Sequence, residues 1–338
     1  MIGVAGLGYW GPNLARNFAE LGELTWLCDV DDGLRSTFAG RYPQTRVTAS
    51  FDELLASDVE GVVIATPVPT HHRLAKQALE AGKHVLVEKP PAMKAVEIDE
   101  LLELAAARDL VLMPGHLLLY HPAVRKLKEL IDAGELGEVL CVYGNRQNLG
   151  IVRTNENALW SLGVHDLSVI LYLLDEEPSE AVAHGRDFLT EGVEDVVFCY
   201  LRFPSGKIAH MHLSWLDPHK MRRMTVVGSE KMVVFDDMET DRKVTIYDKG
   251  ATRNPQYASY GEYISVRFGD IHIPRISNEE PLRVECRHFV DAVRSGSVTA
   301  AGPDEGVAVV EVLEGLERSL RAGGETVRLD RAVAAPGA

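Results

Sequence analysis

The sequence predicts an α/β protein of two parts, an N-terminal doubly wound parallel sheet followed by an α+β domain with a mostly antiparallel sheet. Three observations predict it. Strand-like apolar runs alternate with helical patterns through the first third of the chain, a βαβαβ order that implies parallel strands and right-handed crossovers. A glycine-rich turn, Gly6-Leu7-Gly8-Tyr9-Trp10-Gly11, lies between the first run and the first helical pattern. In the second half, the runs 196–203 and 207–215 flank Pro204-Ser205-Gly206, a hairpin signal that points to antiparallel pairing.

Composition narrows the classes open to such a chain. With 338 residues, 46% apolar and 25% charged, it has the length for two domains and the material for a sizeable core. A formal net charge of -15 argues against nucleic acid or an anionic membrane as partner, because phosphate contacts need clustered Lys and Arg. Cys28, Cys141, Cys199 and Cys286 are far apart and suggest neither a metal site nor a disulfide framework. Met1-Ile2-Gly3-Val4 enters a fold element with no basic leader, and no apolar stretch reaches membrane-spanning length, so a cytoplasmic location is expected.

The first strand, residues 2–5, leads into G-x-G-x-x-G and a helix marked by Leu14, Phe18 and Leu21. Glycines there permit a tight turn and close backbone approach, while a helix N-terminus offers N–H groups to a pyrophosphate. This is a Rossmann-type dinucleotide turn. Pro12 falls in the first helical turn, where its missing N–H costs nothing. The second strand, residues 24–28, ends at Asp29, close to the ~20-residue spacing at which an acid accepts ribose hydroxyls. A carboxylate there repels a 2'-phosphate, which favours NAD over NADP. Arg35 stands near enough to soften that preference, and Asp29 could instead cap the next helix.

A helix near 32–41, a strand at 46–48, a helix at 51–57 and a strand at 61–65 follow. Next, Ala65-Thr66-Pro67-Val68-Pro69-Thr70-His71-His72 opens a helix, with Thr70 as its N-cap. This turn lies at the carboxyl edge of the sheet, so Thr66, Pro67 and His71 are expected to line the cofactor groove. The strand that follows ends as Val85-Leu86-Val87-Glu88-Lys89-Pro90-Pro91. Prolines cannot continue a ladder, so Glu88 and Lys89 sit just beyond a strand, where open α/β sheets place ligands.

In order, Gly6 to Gly11, Ala65-Thr66-Pro67 through His71, Ala81-Gly82-Lys83-His84 through Glu88-Lys89-Pro90, and Gly115-His116 resemble the Gfo/Idh/MocA family of NAD(P)-dependent oxidoreductases. A second-domain signature, Gly163-Val164-His165-Asp166-Leu167, extends the resemblance over nearly the whole chain. It implies that Lys89 lies beside the nicotinamide and the reacting carbinol and that His165 works with it. Gly6, Gly8, Tyr9, Trp10, Gly11, Asp29, Thr66, Pro67, His71, Glu88, Lys89 and Pro90 are then the cofactor-binding set. Independently of family, oxidising a secondary alcohol needs a base for the hydroxyl proton while hydride leaves for the nicotinamide. A lysine near the positive ring has its neutral amine favoured. The chain departs from the family at Ser161, where an aspartate commonly stands four residues before the histidine. A serine can hydrogen bond but cannot hold the charge.

The first domain is assigned to residues 1–120, a second to 121–330 and a tail to 331–338. A helix at 122–133 and a strand at 139–147 open the second domain, followed by a polar loop at 148–159. Arg146, Asn148 and Arg153 are candidate anion or hydroxyl contacts, and Ser161 and His165 complete the expected substrate set. An apolar helix, residues 167–174, carries His165 and Asp166 at its start. His210 and His212 share one face of a strand, where a sheet face covered by another subunit explains them as well as a metal would, and no metal is expected. Residues 250–282, with Tyr257, Tyr260 and Tyr263, read as a long loop, and 285–295 and 303–322 as amphipathic helices.

Leu118 to Pro122, Asn148-Leu149-Gly150, Trp160 to Asp166 and Val226 to Ser229 resemble the family branch of UDP-N-acetylglucosamine-type nucleotide-sugar 3-dehydrogenases. That resemblance implies oxidation of a ring secondary alcohol, C3 of a UDP-linked N-acetylhexosamine, for amino-sugar biosynthesis, by a homodimer or homotetramer. A cyclitol or free-sugar dehydrogenase and a non-catalytic sensor of the same fold remain as alternatives.

Overall fold

The first sheet is assembled from short strands that the sequence leaves apolar on both faces. In the computed structural model, which describes residues 1–150, 152–154, 156–253, 264–297 and 303–329, the chain begins β1 (Ile2–Ala5), α1 (Gly11–Glu20), β2 (Leu24–Cys28), α2 (Asp32–Arg41), β3 (Arg46–Thr48) and α3 (Phe51–Leu55). It continues β4 (Gly61–Ile64), α4 (His71–Glu80), β5 (His84–Glu88), α5 (Ala95–Ala106) and β6 (Leu112–Gly115). The six strands are parallel in the order β3-β2-β1-β4-β5-β6. Every residue of β1, β4 and β6 is buried, as expected of strands covered by helices on both faces. The order reverses between β1 and β4, so the carboxyl ends of these two strands form the switch point at which such sheets bind ligands. Pro114 lies inside β6, paired with Val87. Pro114 is tolerated within the strand because β6 is an edge.

The second sheet is mixed. α6 (Pro122–Asp132), β7 (Val139–Gln147), a π-helical stretch (Leu159–Gly163) and α7 (Val164–Leu174) come first. Then follow β8 (Glu180–Arg186), β9 (Val196–Arg202), β10 (Ile208–Ser214), β11 (Met221–Gly228), β12 (Met232–Asp236), β13 (Val244–Arg253) and β14 (Ile264–His272). With the late strand β15 (Val327–Arg328), the order is β14-β13-β12-β11-β7-β10-β9-β8-β15. Pairing is parallel between β7 and β10 and antiparallel at the other junctions. The hairpin closes where expected, with the Phe203 N–H donating to Lys207 O at 3.0 Å and Gly206 at φ +89°.

Along β10, Ala209, Met211 and Leu213 are buried, while His210 and His212 lie on the other face. There His210 stacks on Tyr143 with ring centroids 5.0 Å apart and His212 on Phe198 at 4.3 Å. Of the loop expected over 250–282, residues 250–253 and 264–272 instead belong to the antiparallel ladder of β13 and β14, while 273–280 carry no regular element. Tyr257, Tyr260 and Tyr263, and the tail from 331, lie outside the described residues.

α8 (Pro281–Ser295) and α9 (Pro303–Arg321) complete the fold. The chain divides into two compact units, Met1–His121 with Glu279–Val310, and Pro122–Asn278 with Glu311–Ala338. The sequence division gave 121–330 to one domain as a continuous block; instead α8 packs in the first unit. Its buried face, Leu282, Glu285, Cys286 and Phe289, follows the i, i+3, i+4, i+7 spacing of a core-facing stripe. Phe289 meets Phe18 edge to face, with centroids 6.3 Å apart at 80°. Arg16 of α1 forms a two-pronged ion pair with Glu280 at 2.5 and 3.1 Å. No helix among the described residues is long and apolar enough to cross a membrane.

Phe289→Ala removes a fully buried ring that bridges α8 and α1. Urea unfolding is expected to report a loss of ~3–5 kcal/mol; a loss under about 1 kcal/mol shows that α8 contributes little to the first unit.

Candidate functional site

The two units each carry a group of candidate residues. In the first, the glycines differ sharply in what confines them. Gly6 adopts φ +94°, and a Cβ there would lie 2.5 Å from Ala65 O. At Gly11 a Cβ would lie 1.8 Å from Gly6 O. Both are therefore required by the protein's own backbone. Around Gly8 no protein atom stands within 4 Å of a Cβ position, so its bareness serves the space outside the turn. Behind that space α1 begins without a side-chain cap, leaving its N-terminal end to an external acceptor. Tyr9 is 81% exposed, while the buried indole nitrogen of Trp10 makes no hydrogen bond of ordinary geometry among the described residues. These features fit a dinucleotide pyrophosphate.

Asp29 ties this turn to the end of β2. Its Oδ2 accepts the Leu7 N–H at 2.6 Å and its Oδ1 the Asp31 N–H at 2.9 Å. The cap of α2 is Asp31, whose carboxylate accepts the Leu34 N–H at 2.8 Å, so capping is not the task of Asp29. Arg35 donates to the Asp29 carbonyl at 2.8 Å and pairs with Asp32. These bonds occupy Arg35, the cation that the sequence sets near a 2'-phosphate. Val30, 89% exposed beside Asp29, is an apolar surface that sequence reasoning missed, because nothing in its pattern separates it from a turn residue.

At the ends of β4 and β5, side chains lock backbone turns. The Thr70 hydroxyl donates to Pro67 O at 2.7 Å and contacts the Thr66 hydroxyl at 2.6 Å. It makes no cap bond to α4, contrary to its expected role, because the hydroxyl is used to close the Thr66-Pro67 turn. His71 is 1% exposed, with Nδ1 2.8 Å from Pro90 O and Nε2 2.7 Å from Thr66 O. It is a buried brace between the two turns, not a groove-lining surface. The Lys89–Pro90 peptide is cis. Lys89 is partly buried just past the carboxyl end of β5.

Carboxyl groups crowd the inner side of this turn. Glu88 turns its carboxyl over Gly115, where a Cβ would lie 3.3 Å from Oε2, and accepts the Lys89 N–H at 3.3 Å. Burial pushes Glu88 up to about 7, against the Lys89 charge and the nearby Trp10 indole. Glu285 of α8 is fully buried, and neither of its oxygens has a hydrogen-bond partner among the described residues. Burial, reinforced by the charge of Glu88, holds it well above the ordinary carboxyl range, so it keeps its proton. Buried His116 is driven down to about 4, first by desolvation and then by Lys89. Sequence reasoning missed Glu285, and the signal was a carboxyl in the middle of an apolar helical stripe.

In the second unit, Arg146 is 9% exposed and donates Nε and Nη2 to Asp166 Oδ1 at 2.9 and 2.6 Å. Expected as a substrate contact, it is a buried arginine bracing β7 against α7. Asp166 in turn spends its charge on that pair, so it supplies no uncompensated carboxylate in place of the aspartate missing at 161. Ser161 is 8% exposed within the π-helical stretch, its N–H bonded to Asn157 O at 3.0 Å. An i, i+4 relation assumed for an α-helical turn does not hold unchanged through a π-helical one. His165 lies in the first turn of α7, partly exposed. Asn148 follows β7 with its N–H on Ser214 O at 3.0 Å, and Arg153 pairs with Glu156 at 2.8 Å.

The glycines provide a direct test of the cradle. Gly8→Ala is expected to weaken NAD binding by at least ~10-fold with an unchanged melting temperature, since the methyl meets only ligand. Gly6→Ala is expected to cost ~1–3 kcal/mol of stability, because the strain falls on the backbone itself. Calorimetric titration and thermal melts of both variants check this.

Comparison with known proteins agrees with this geometry. Residues 1–116 match the Gfo/Idh/MocA oxidoreductase family with NAD-binding Rossmann fold, and residues 124–234 match the Gfo/Idh/MocA C-terminal domain. A UDP-N-acetylglucosamine 3-dehydrogenase of Acidithiobacillus ferrooxidans is 28% identical over 256 residues, 75% of this chain and 78% of that protein. A myo-inositol 2-dehydrogenase of Thermotoga maritima is 24% identical, over 90% of this chain and 91% of its own. Among solved structures, UDP-N-acetylglucosamine 3-dehydrogenase GnnA from Acidithiobacillus ferrooxidans superposes with a TM-score of 0.81 at 26% identity, covering 95% of this chain and 97% of that one. GenD2 from gentamicin A biosynthesis, in complex with NAD, gives a TM-score of 0.81 at 28% identity, covering 98% and 96%. The chain belongs to the Gfo/Idh/MocA family of oxidoreductases and is an NAD-dependent dehydrogenase.

Proposed function

We propose that the protein oxidises a ring secondary alcohol of a sugar, C3 of a UDP-linked N-acetylhexosamine, to a ketone with reduction of NAD+. The observation that carries this reading is Lys89, held just past β5 in the same unit as the bare Gly8 turn and Asp29. Bound NAD+ supplies the hydride acceptor. Lys89 in its amine form takes the hydroxyl proton and becomes an ammonium as the C–H bond gives up its hydride. Glu88, poised near neutrality, supplies the negative charge that accommodates that ammonium. His165 is the second catalytic residue, with Ser161 and Asn148 as substrate contacts; Arg146 acts through Asp166.

The nucleotide-sugar substrate draws support from the similarity to UDP-N-acetylglucosamine 3-dehydrogenases in both sequence and fold. The 3-keto product has the carbonyl that a transamination step in amino-sugar biosynthesis requires. A second reading, a cyclitol or free-sugar dehydrogenase, is favoured by the myo-inositol 2-dehydrogenase that aligns over 90% of this chain. The same proposal includes a cytoplasmic homodimer or homotetramer, for which Leu140, Phe198 and Ile208, exposed on strands of the second sheet, offer an apolar surface.

Nicotinamide reduction is to be followed with UDP-N-acetylglucosamine, its uronate, and myo- and scyllo-inositol. Turnover with a UDP-sugar is expected; turnover with an inositol alone replaces the substrate assignment, and tight NAD binding without any turnover replaces the enzyme with a sensor. Lys89→Ala is expected to lower kcat by ~10²–10⁴ with little change in NAD affinity, and an unchanged kcat removes Lys89 as the base. Ser161→Asp is expected to accelerate single-turnover hydride transfer. A slower transfer shows that the serine suits this substrate.

A further inference from the structure

Lys89 is followed by Pro90 and Pro91, two residues with no N–H. Neither proline can be fastened through a donor of its own, and their carbonyl oxygens are the handles that remain. The Pro90 carbonyl is met by the Nδ1 of His71 at 2.8 Å, and the Thr66 carbonyl on the neighbouring turn by its Nε2 at 2.7 Å. We propose that His71 is a positioning residue for Lys89: its ring, fixed at the start of α4, braces the Pro90 carbonyl against the Thr66 turn and so sets the direction in which Lys89 leaves β5. The proposal rests on the reading of Lys89 as the base.

Three features separate this role from a cofactor contact. The ring is 1% exposed, which leaves it no surface to offer a dinucleotide. Both nitrogens face carbonyl oxygens, which only accept, so the ring acts toward this turn as a donor. Its own platform is rigid as well, because the Thr70 hydroxyl closes the preceding turn onto Pro67 O at 2.7 Å. Burial lowers the basicity of the ring, and the Lys89 charge adds to that, while the Pro90 and Thr66 carbonyls oppose it. In the neutral form the ring has one N–H and serves one carbonyl at a time. The bond to Pro90 is the one that bears on the residue next to it. Misplacing a reacting group by an ångström can cost ~100-fold in rate, so one brace on this turn has catalytic weight.

The test uses three substitutions in the intact enzyme. His71→Asn keeps an amide donor near the Nδ1 position, toward Pro90. His71→Gln places its donor further out, toward Thr66, and His71→Phe keeps the ring with no donor. Lys89 reactivity is read from pH-dependent labelling with acetic anhydride and peptide mass spectrometry, a measurement that needs no substrate. NAD affinity is read by fluorescence titration and folding by circular dichroism. With whichever alcohol supports turnover, kcat and KM are measured separately.

The expected result is a Lys89 labelling rate changed ~5-fold or more and a kcat ~10-fold lower in His71→Phe, with NAD affinity within ~2-fold of the parent. His71→Asn is expected to stay closer to the parent than His71→Gln in both readouts. The proposal is overturned if folded His71→Phe labels and turns over like the parent. It is equally overturned if NAD affinity falls as far as kcat, or if the Asn and Gln variants behave alike. Should His71→Phe fail to fold, the Asn and Gln pair decides. Should no tested alcohol be oxidised, the substrate assignment fails while Lys89 labelling still judges His71.

Discussion

The candidate site in the first unit depends on how closely backbone can approach backbone at the carboxyl ends of β1 and β4. Gly6 presses against Ala65 O, and Gly11 folds back onto Gly6 O so tightly that a single carbon on either would displace main chain. That contact fixes the mouth of the sheet. Asp29 then fastens the glycine turn from β2 through the Leu7 N–H, and His71 fastens the β4 and β5 turns to one another. Four strand ends are thus joined by hydrogen bonds and by absent side chains, and the turn stays open beside Gly8.

Much of this was legible beforehand, because the signals were local. A glycine turn after an apolar strand, an acid at the end of the next strand, and a lysine before two prolines each carry their reason within a few residues. Long-range pairing was less legible. His71 and Arg146 were assigned outward-facing tasks, but their true counterparts, Pro90 O and Asp166, lie 19 and 20 residues away. The strand character of β14 was hidden by the Gly-, Ser- and Asn-rich sequence around it, which reads as loop. Membership of α8 in the first unit could not be seen at all, since chain order alone assigns it to the domain it follows.

Charge is handled differently in the two units. Around Lys89, burial favours the neutral forms: Glu285 keeps its proton, His116 stays neutral and Glu88 is balanced near neutrality. Beside His165, by contrast, a full ion pair between Arg146 and Asp166 is buried intact. Removing one member of such a pair strands the other, a loss of ~3–5 kcal/mol. The acid that follows His165 is accordingly committed to an arginine.

The return of α8 to the first unit also bears on how the chain matures during synthesis. When residue 121 has been made, Phe18 still lacks Phe289, and Arg16 still lacks Glu280. At ~5–20 residues per second, roughly ten to thirty seconds pass before α8 is complete. Over that interval the nascent dinucleotide domain presents an apolar flank with no native cover, while most strands of the second sheet are made and emerge beside it. The order of translation therefore holds the first domain begun open until most of the second has been made.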